Sequence, residues 1–204
     1  MEFLIQREFG NRQGWILYFP CMLPQFYRSC AGFRQIHLRL KQYRCPHCKL
    51  TGTLILHGYL RGYDLEGINK RIVRGHRIFC SNRNRRRGCG RTFGVVLAAM
   101  LKGFIVRTSH LWGFLKNMAK GMNVFQAFNI LDIPLSPTSI YRLYKRLFEN
   151  QHHIRSHLFR RLPPPRDIRH ANPLVKTIRH LELSFKNIPD PPAAFQYLFQ
   201  KSFL

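Results

Sequence analysis

The sequence predicts an α+β fold: a small cysteine-clamped β-hairpin unit, then an all-α region, then a helical tail. Three observations carry that expectation. Four cysteines arrive as two pairs, Cys45 with Cys48 and Cys80 with Cys89. Between the pairs lie two runs rich in β-branched and apolar residues. After Ser109 the apolar residues recur at helical spacing instead.

Composition sets the class of partner. The chain of 204 residues carries 34 Lys and Arg against 9 Asp and Glu, a formal net charge of +25. With 45% hydrophobic and 13% aromatic residues it has apolar material for one or two modest cores, which excludes wholesale disorder. The charge is uneven: between Glu66 and Asp132 there is no acidic residue, while that stretch holds 13 Lys and Arg. A basic face kept for solubility would not need one sign only, so the block points to a polyanion, nucleic acid first. The longest apolar run, Phe93 to Leu101, is about half of the roughly 20 residues a bilayer helix needs, so no membrane partner is expected. The stretch from Met1 to Arg12 lacks an apolar core with a cleavage site. A cytoplasmic chain with reduced cysteines is the expectation.

Residues 1–44 show no clean period. Cys21 and Cys30 lie there without a knuckle pair and read as buried small hydrophobes. The alternative is a second metal site with partners such as His37, which would require more than one zinc per chain.

Residues 45–95 are the informative segment. Zinc takes four soft ligands in a tetrahedron, and the two-residue gap in Cys45-Pro46-His47-Cys48 lets one turn present both sulfurs to one ion. Thr53 to His57 and Arg71 to Phe79 read as two strands of a hairpin, with Gly58, Gly62 and Gly67 breaking the connection. That arrangement is a zinc ribbon holding a structural Zn2+ on Cys45, Cys48, Cys80 and Cys89. The second pair encloses eight residues, Ser81 to Gly88, which leaves His76 or His47 as substitutes if the loop strains the geometry. The loop itself bears Arg83, Arg85, Arg86 and Arg87, with Arg91 just beyond. Pinned by the metal, these arginines are expected to meet phosphates without the ordering cost a free run would bear.

The ending Cys89-Gly90-Arg91-Thr92-Phe93 resembles the second knuckle of the zinc ribbon at the front of many bacterial insertion-sequence transposases. In that family the second pair is usually two residues apart. The likeness covers about a quarter of the chain.

Residues 104–160 read as helices. Ser109 caps an element carrying Leu111, Leu115 and Met118, stopped at Gly121. Asn123 caps a short second helix with Val124, Ala127, Phe128 and Leu131. Ser136 followed by Pro137 starts a third, on which Ile140, Leu143, Tyr144, Leu147 and Phe148 form a core stripe. Ser139, Tyr141, Arg142, Lys145 and Arg146 are left facing outward or sideways. A short helix, a turn and a longer basic helix suit a helix-turn-helix, whose second helix offers its first residues to base edges. The plain alternative is a helical bundle with a basic rim. The stretch from Lys120-Gly121-Met122 to Ile140-Tyr141-Arg142 resembles the helix-turn-helix that follows the ribbon in the same transposase-related proteins, with an extended turn. His152, His153 and His157 read as solvated helix surface.

Residues 161–171, through Leu162-Pro163-Pro164-Pro165, read as a short stiff linker. In 172–204, Asn172 and Pro173 start a helix with Leu174, Ile178, Leu181 and Phe185 on one face, and Phe195, Leu198, Phe199 and Phe203 form a last apolar cluster. This segment docks on the protein's own helices or on a partner, either a second copy or a transposase or recombinase.

No catalytic activity is expected. After the third helix only Glu149, Asp167, Glu182 and Asp190 are acidic, too few residues follow to build a metal-binding carboxylate triad, and a zinc held by four thiolates is closed. The expected function is a zinc-dependent DNA-binding protein linked to a mobile element, a targeting factor or regulator on the bacterial nucleoid. An RNA-binding assembly factor, stacking bases on Tyr141, Phe79 and Phe93, is the alternative. A structural subunit holding an acidic protein is a third.

Overall fold

The computed structural model describes residues 22–65, 67–165 and 172–204. Among these the chain is mixed α/β, with a four-stranded sheet and six helices. Cys21, residues 166–171 of the expected linker, and the rest of residues 1–21 lie outside the described residues.

The sheet half begins earlier than the cysteines. Strand β1 (Phe26–Tyr27) leads into helix α1 (Cys30–Leu38), whose cap Ser29 accepts from Gly32 N–H. Phe33 and Ile36 on α1, with Tyr27, Leu40 and Tyr43, share one buried cluster with Leu54, Ile78, Cys80 and Val95. Residues 22–44 are thus built into the same half as the cysteine segment. Cys30, expected to be buried, is exposed, because it stands at the first position of α1, one turn ahead of Phe33, where the buried stripe begins.

Strands β2 (Leu54–Asp64) and β3 (Gly67–Cys80) form a long antiparallel hairpin. Gly58 and Gly62 do not break the connection, as expected from sequence, but lie inside β2. The register slips between Leu56 and Gly58, so His57 bulges out. Gly58 turns there with φ 142, a value that L side chains rarely adopt. Strand β4 (Thr92–Leu97) pairs antiparallel with β3 and parallel with β1, giving the order β1-β4-β3-β2.

Helices α2 (Thr108–Ala119), α3 (Val124–Asn129), α4 (Pro137–Phe159), α5 (Pro173–Ser184) and α6 (Pro191–Phe199) build the second half. Helix α2 starts at Thr108, one residue before the expected cap, with Arg107 as its N-cap. Asn123 caps α3 in a reciprocal box with Gln126, and Ser136 caps α4 before Pro137. One continuous core takes Leu111, Phe114 and Leu115 from α2, Phe128 from α3, Ile140, Leu143, Leu147, Ile154 and Leu158 from α4, and Leu174, Ile178, Leu181 and Phe195 from the tail. Each such side chain contributes about 1.5 to 3 kcal/mol on burial. The tail therefore buries its apolar face inside the protein. His157, expected on the surface, is 8% exposed and meets the Phe195 and Phe199 rings, because the returning α6 covers it.

Among the described residues, several polar ties join the halves. At the hairpin tip, buried Asp64 accepts from Arg107 at the start of α2, Nε at 3.1 Å and Nη2 closer still. Gln196, fully buried on α6, donates to the carbonyls of Ala98 and Met100 at 2.7 and 3.1 Å and accepts from Phe203 N–H at 3.1 Å. Gln200 accepts from the N–H groups of Gln25 and Phe26 and donates to Phe26 O. Its amide covers the open edge of β1, which would otherwise leave backbone groups unpaired.

Candidate metal centre and nucleic-acid interface

Cys45, Cys48, Cys80 and Cys89 converge, their Sγ atoms all within 4.8 Å of one another. The Cys45–Cys89 and Cys48–Cys80 pairs each stand 3.7 Å apart. A disulfide would need about 2.05 Å. Four sulfurs each about 2.3 Å from the centre of a tetrahedron stand about 3.8 Å from one another, so these distances fit four ligands around one ion. The residues present suit a tetrahedral thiolate-bound metal. Neither His47, which is exposed, nor His76 joins them. His76 sits in β3 opposite Tyr59 and stacks on Phe33, ring centroids 3.4 Å apart.

The backbone explains how unequal spacings reach one geometry. In the first knuckle, Cys45 N–H donates to Leu50 O and Lys49 N–H to Cys45 O, at 2.9 and 3.0 Å. In the second, Cys80 N–H donates to Arg91 O and Gly90 N–H to Cys80 O, both at 2.9 Å. The β3–β4 ladder thus runs on past the cysteine, and the extra residues are pinched off. Their base is closed by Gly88 N–H on Ser81 O at 3.1 Å. A Cβ on Gly88 would run into that same carbonyl, so the pinch requires glycine.

The sulfurs also have donors. His47 N–H points at Cys45 Sγ (3.4 Å), Cys89 N–H at Cys80 Sγ (3.3 Å), and Thr53 Oγ1 lies 3.2 Å from Cys80 Sγ. Such contacts stabilise thiolates beside a metal. Burial pushes the Cys45 thiol up to about 12. The Leu50 N–H, ahead of its sulfur neighbours, draws Cys48 down to about 7. A bound divalent ion would favour the thiolate at all four positions.

At the tip of the pinched loop, Asn84 and Arg85 are both left-handed (φ 52 and 60) and Arg86 N–H donates to Arg83 O, a turn of the I′ kind. Arg83, Arg85, Arg86, Arg87 and Arg91 are all exposed. Arg83 lies over the Phe79 ring at 5.7 Å. Burial first, then the charge of Arg86, lower Lys41 below the usual lysine range. Cations that repel one another in this way favour an arriving anion.

On α4, Ile140, Leu143 and Leu147 are buried, while Tyr141 is 53% exposed and Arg142, Lys145 and Arg146 are exposed. Ser139 differs from the other expected contacts. It is half-buried, and its Oγ lies 3.0 Å from that of the cap Ser136, so its hydroxyl serves the start of the helix. The arginine loop and the helical half lie at opposite ends of β3: the loop follows Cys80, whereas Leu65 beside the tip packs on the helical core.

One exposed face of the hairpin is obscured in the sequence by its glycines. Tyr59, Arg61 and Tyr63 alternate along β2 and are all exposed, a period-two signal hidden by reading the nearby glycines as breaks.

No protein-family model, no curated protein and no solved structure matches the chain.

Proposed function

We propose that the chain is a zinc-dependent DNA-binding protein in which a zinc ribbon positions a basic loop and a helix-turn-helix reads sequence. The observation that carries the reading is the convergence of the four sulfurs, with tetrahedral spacing, at the base of a loop whose arginines all face solvent. A structural Zn2+ held by Cys45, Cys48, Cys80 and Cys89 would supply charge and rigidity there and no open coordination position. Arg83, Arg85, Arg86, Arg87 and Arg91 contribute affinity through phosphates, and Tyr141 and Arg142 at the start of α4 meet base edges, with Lys145 and Arg146 on the backbone. The net charge of +25 favours duplex DNA over an uncharged partner.

In this reading the protein has no catalytic activity of its own. Three of its carboxylates are already committed: Asp64 to Arg107, Glu182 to Arg179, and Asp190 to the Thr108 hydroxyl and Ala193 N–H. The link to a mobile element, whether as targeting factor or regulator, rests on the likeness of Cys89 to Phe93 and of Lys120 to Arg142 to transposase-associated segments.

The test is strong chelation of the purified protein, with far-UV circular dichroism and duplex-DNA anisotropy followed together. The proposal expects both the sheet signal and the affinity to fall, and both to return on adding zinc. Survival of both under chelation would sink it.

A further inference from the structure

The outer face of the β2–β3 hairpin carries an arrangement that neither the arginine loop nor α4 uses. Residues opposite one another in an antiparallel pair share a face. Arg61 pairs with Val73 and Tyr63 with Arg71, and Tyr59 follows two residues before Arg61 on the same strand. These five side chains are all exposed, with Tyr59, Tyr63 and Val73 at 54%, 45% and 42%.

The other face of this ribbon is occupied. Leu60 and Ile72 pack on the cluster of Phe26, Val96, Ala98 and Met100. The knuckle end of the outer face is occupied too, since Phe33 of α1 covers His76. Beyond Tyr59, whose ring lies 5.2 Å from that of His76, no described element covers the outer face, and its side chains are exposed.

Its chemistry is specific. Arg61 lies over the Tyr59 ring at 6.0 Å and Arg71 over Tyr63 at 5.5 Å, so each ring has a guanidinium beside it. Tyr59 and Tyr63 stand four residues apart on one strand, about 13 Å at the rise of an extended chain. Among the described residues of the ribbon Asp64 is the sole acid, and it is buried and bound to Arg107. Among the described residues, the face offers flat rings and cations with no opposing charge.

We propose that this face binds an unpaired DNA strand, with bases stacking on Tyr59 and Tyr63 and phosphates meeting Arg61 and Arg71. The proposal rests on the DNA-binding reading and adds a second, structurally separate contact to it. A duplex keeps its bases stacked on one another and shows a protein ring only their edges. An unpaired strand exposes base faces, which aromatic side chains take regardless of sequence.

The test uses the full zinc-loaded chain with fluorescein-labelled oligo(dT) of about 15 nucleotides, a duplex of about 20 base pairs and oligo(rU) as competitor. The variants are Y59A/Y63A and Y59F/Y63F, with urea midpoints to show that both fold. The alanine pair should lose about 10- to 100-fold in oligo(dT) affinity and keep its duplex affinity. The phenylalanine pair should bind oligo(dT) as the wild type does, because the ring and not the hydroxyl is used. Unchanged oligo(dT) binding in the alanine pair overturns the proposal. Wild-type protein that binds duplex but not oligo(dT) overturns it while leaving the DNA-binding reading intact, whereas binding of neither overturns both. Oligo(dT) binding that depends on the two rings, without duplex binding, supports the ribbon contact and removes the role of α4. Tighter binding of oligo(rU) than of oligo(dT) overturns DNA as the occupant.

Discussion

The Sγ atoms of Cys48 and Cys80 stand 3.7 Å apart across a separation of 32 residues. Two thiols brought so close without a bond between them lie at the spacing a shared ion imposes. The same ladder hydrogen bonds that place Cys80 also pinch the arginine loop outward. Fold and charge presentation are therefore coupled through one group of sulfurs.

That coupling predicts one zinc per chain, released when the thiols are titrated with a mercurial and quantified by a chromogenic chelator. Cys48→Ser and Cys80→Ser should each abolish it. Structural zinc commonly contributes about 10 to 16 kcal/mol of apparent binding free energy at pH 7, comparable with the whole stability of a domain. Both variants should therefore lose the cooperative unfolding of the sheet half. A stoichiometry of two would reopen a second site near Cys30.

Charge on the loop and on the helix should act differently. Replacing Arg83, Arg85, Arg86 and Arg87 together by alanine should weaken binding to all duplexes alike and flatten the dependence of log affinity on log salt by about 0.9 for each phosphate no longer neutralised. Lys145→Ala should reduce that slope by about one at most, the share of a single phosphate. Anisotropy titrations across a salt series measure both.

Asp64 predicts a pH dependence of stability. Burial raises its carboxyl pKa, but the hydrogen bonds and charge of Arg107 and the Leu65 N–H more than offset this and hold it below the usual carboxylate range. A depressed folded-state pKa means the stabilisation is complete above the unfolded value of about 3.9 and is lost as the pH falls through the folded value. Asp64→Asn should cost about 2 kcal/mol at neutral pH. Urea unfolding of the two proteins should begin to converge below pH of about 4 and meet only below the depressed folded-state value.

Gln196 predicts a large cost for a small change. Its amide meets three backbone groups in a fully buried position. Gln196→Leu fills similar space but strands the Ala98 and Met100 carbonyls and the Phe203 N–H, and should cost about 2 to 4 kcal/mol. A denaturant midpoint unchanged from wild type would show that water replaces the amide.

Much of the local structure was legible where local chemistry decides it. Asn123, Ser136 and Asn172 could be read as caps because a side-chain oxygen two or three residues ahead of free N–H groups acts within one turn. Ser109 does not cap α2, which begins at Thr108 after Arg107, a residue held by Asp64 far away in sequence. Strand β4 overlaps the long apolar run from Phe93 to Leu101 and shows no alternation there. It is an interior strand between β3 and β1 and carries Val95 and Val96 both buried, so alternation is weak. The burial of His157 depends on α6 returning from about forty residues later, which no local pattern records. At the candidate site, the cysteine pairing followed from ligand number and spacing. The pinch at Ser81 and Gly88, and the engagement of Ser139 with its own cap, needed three-dimensional hydrogen bonds to appear.

In the proposed reading, a zinc-supported architecture lets α4 read DNA sequence. The most direct measurement is selection of zinc-loaded protein on randomised duplex DNA at about 0.15 M salt, where unspecific attraction is weakened, in parallel with Arg142→Ala. The wild type should yield an enriched motif, and the variant should lose discrimination, at about 1 to 3 kcal/mol for the contacted base pair. Tight binding with sequences that stay random, or a motif unchanged by Arg142→Ala, would contradict that reading.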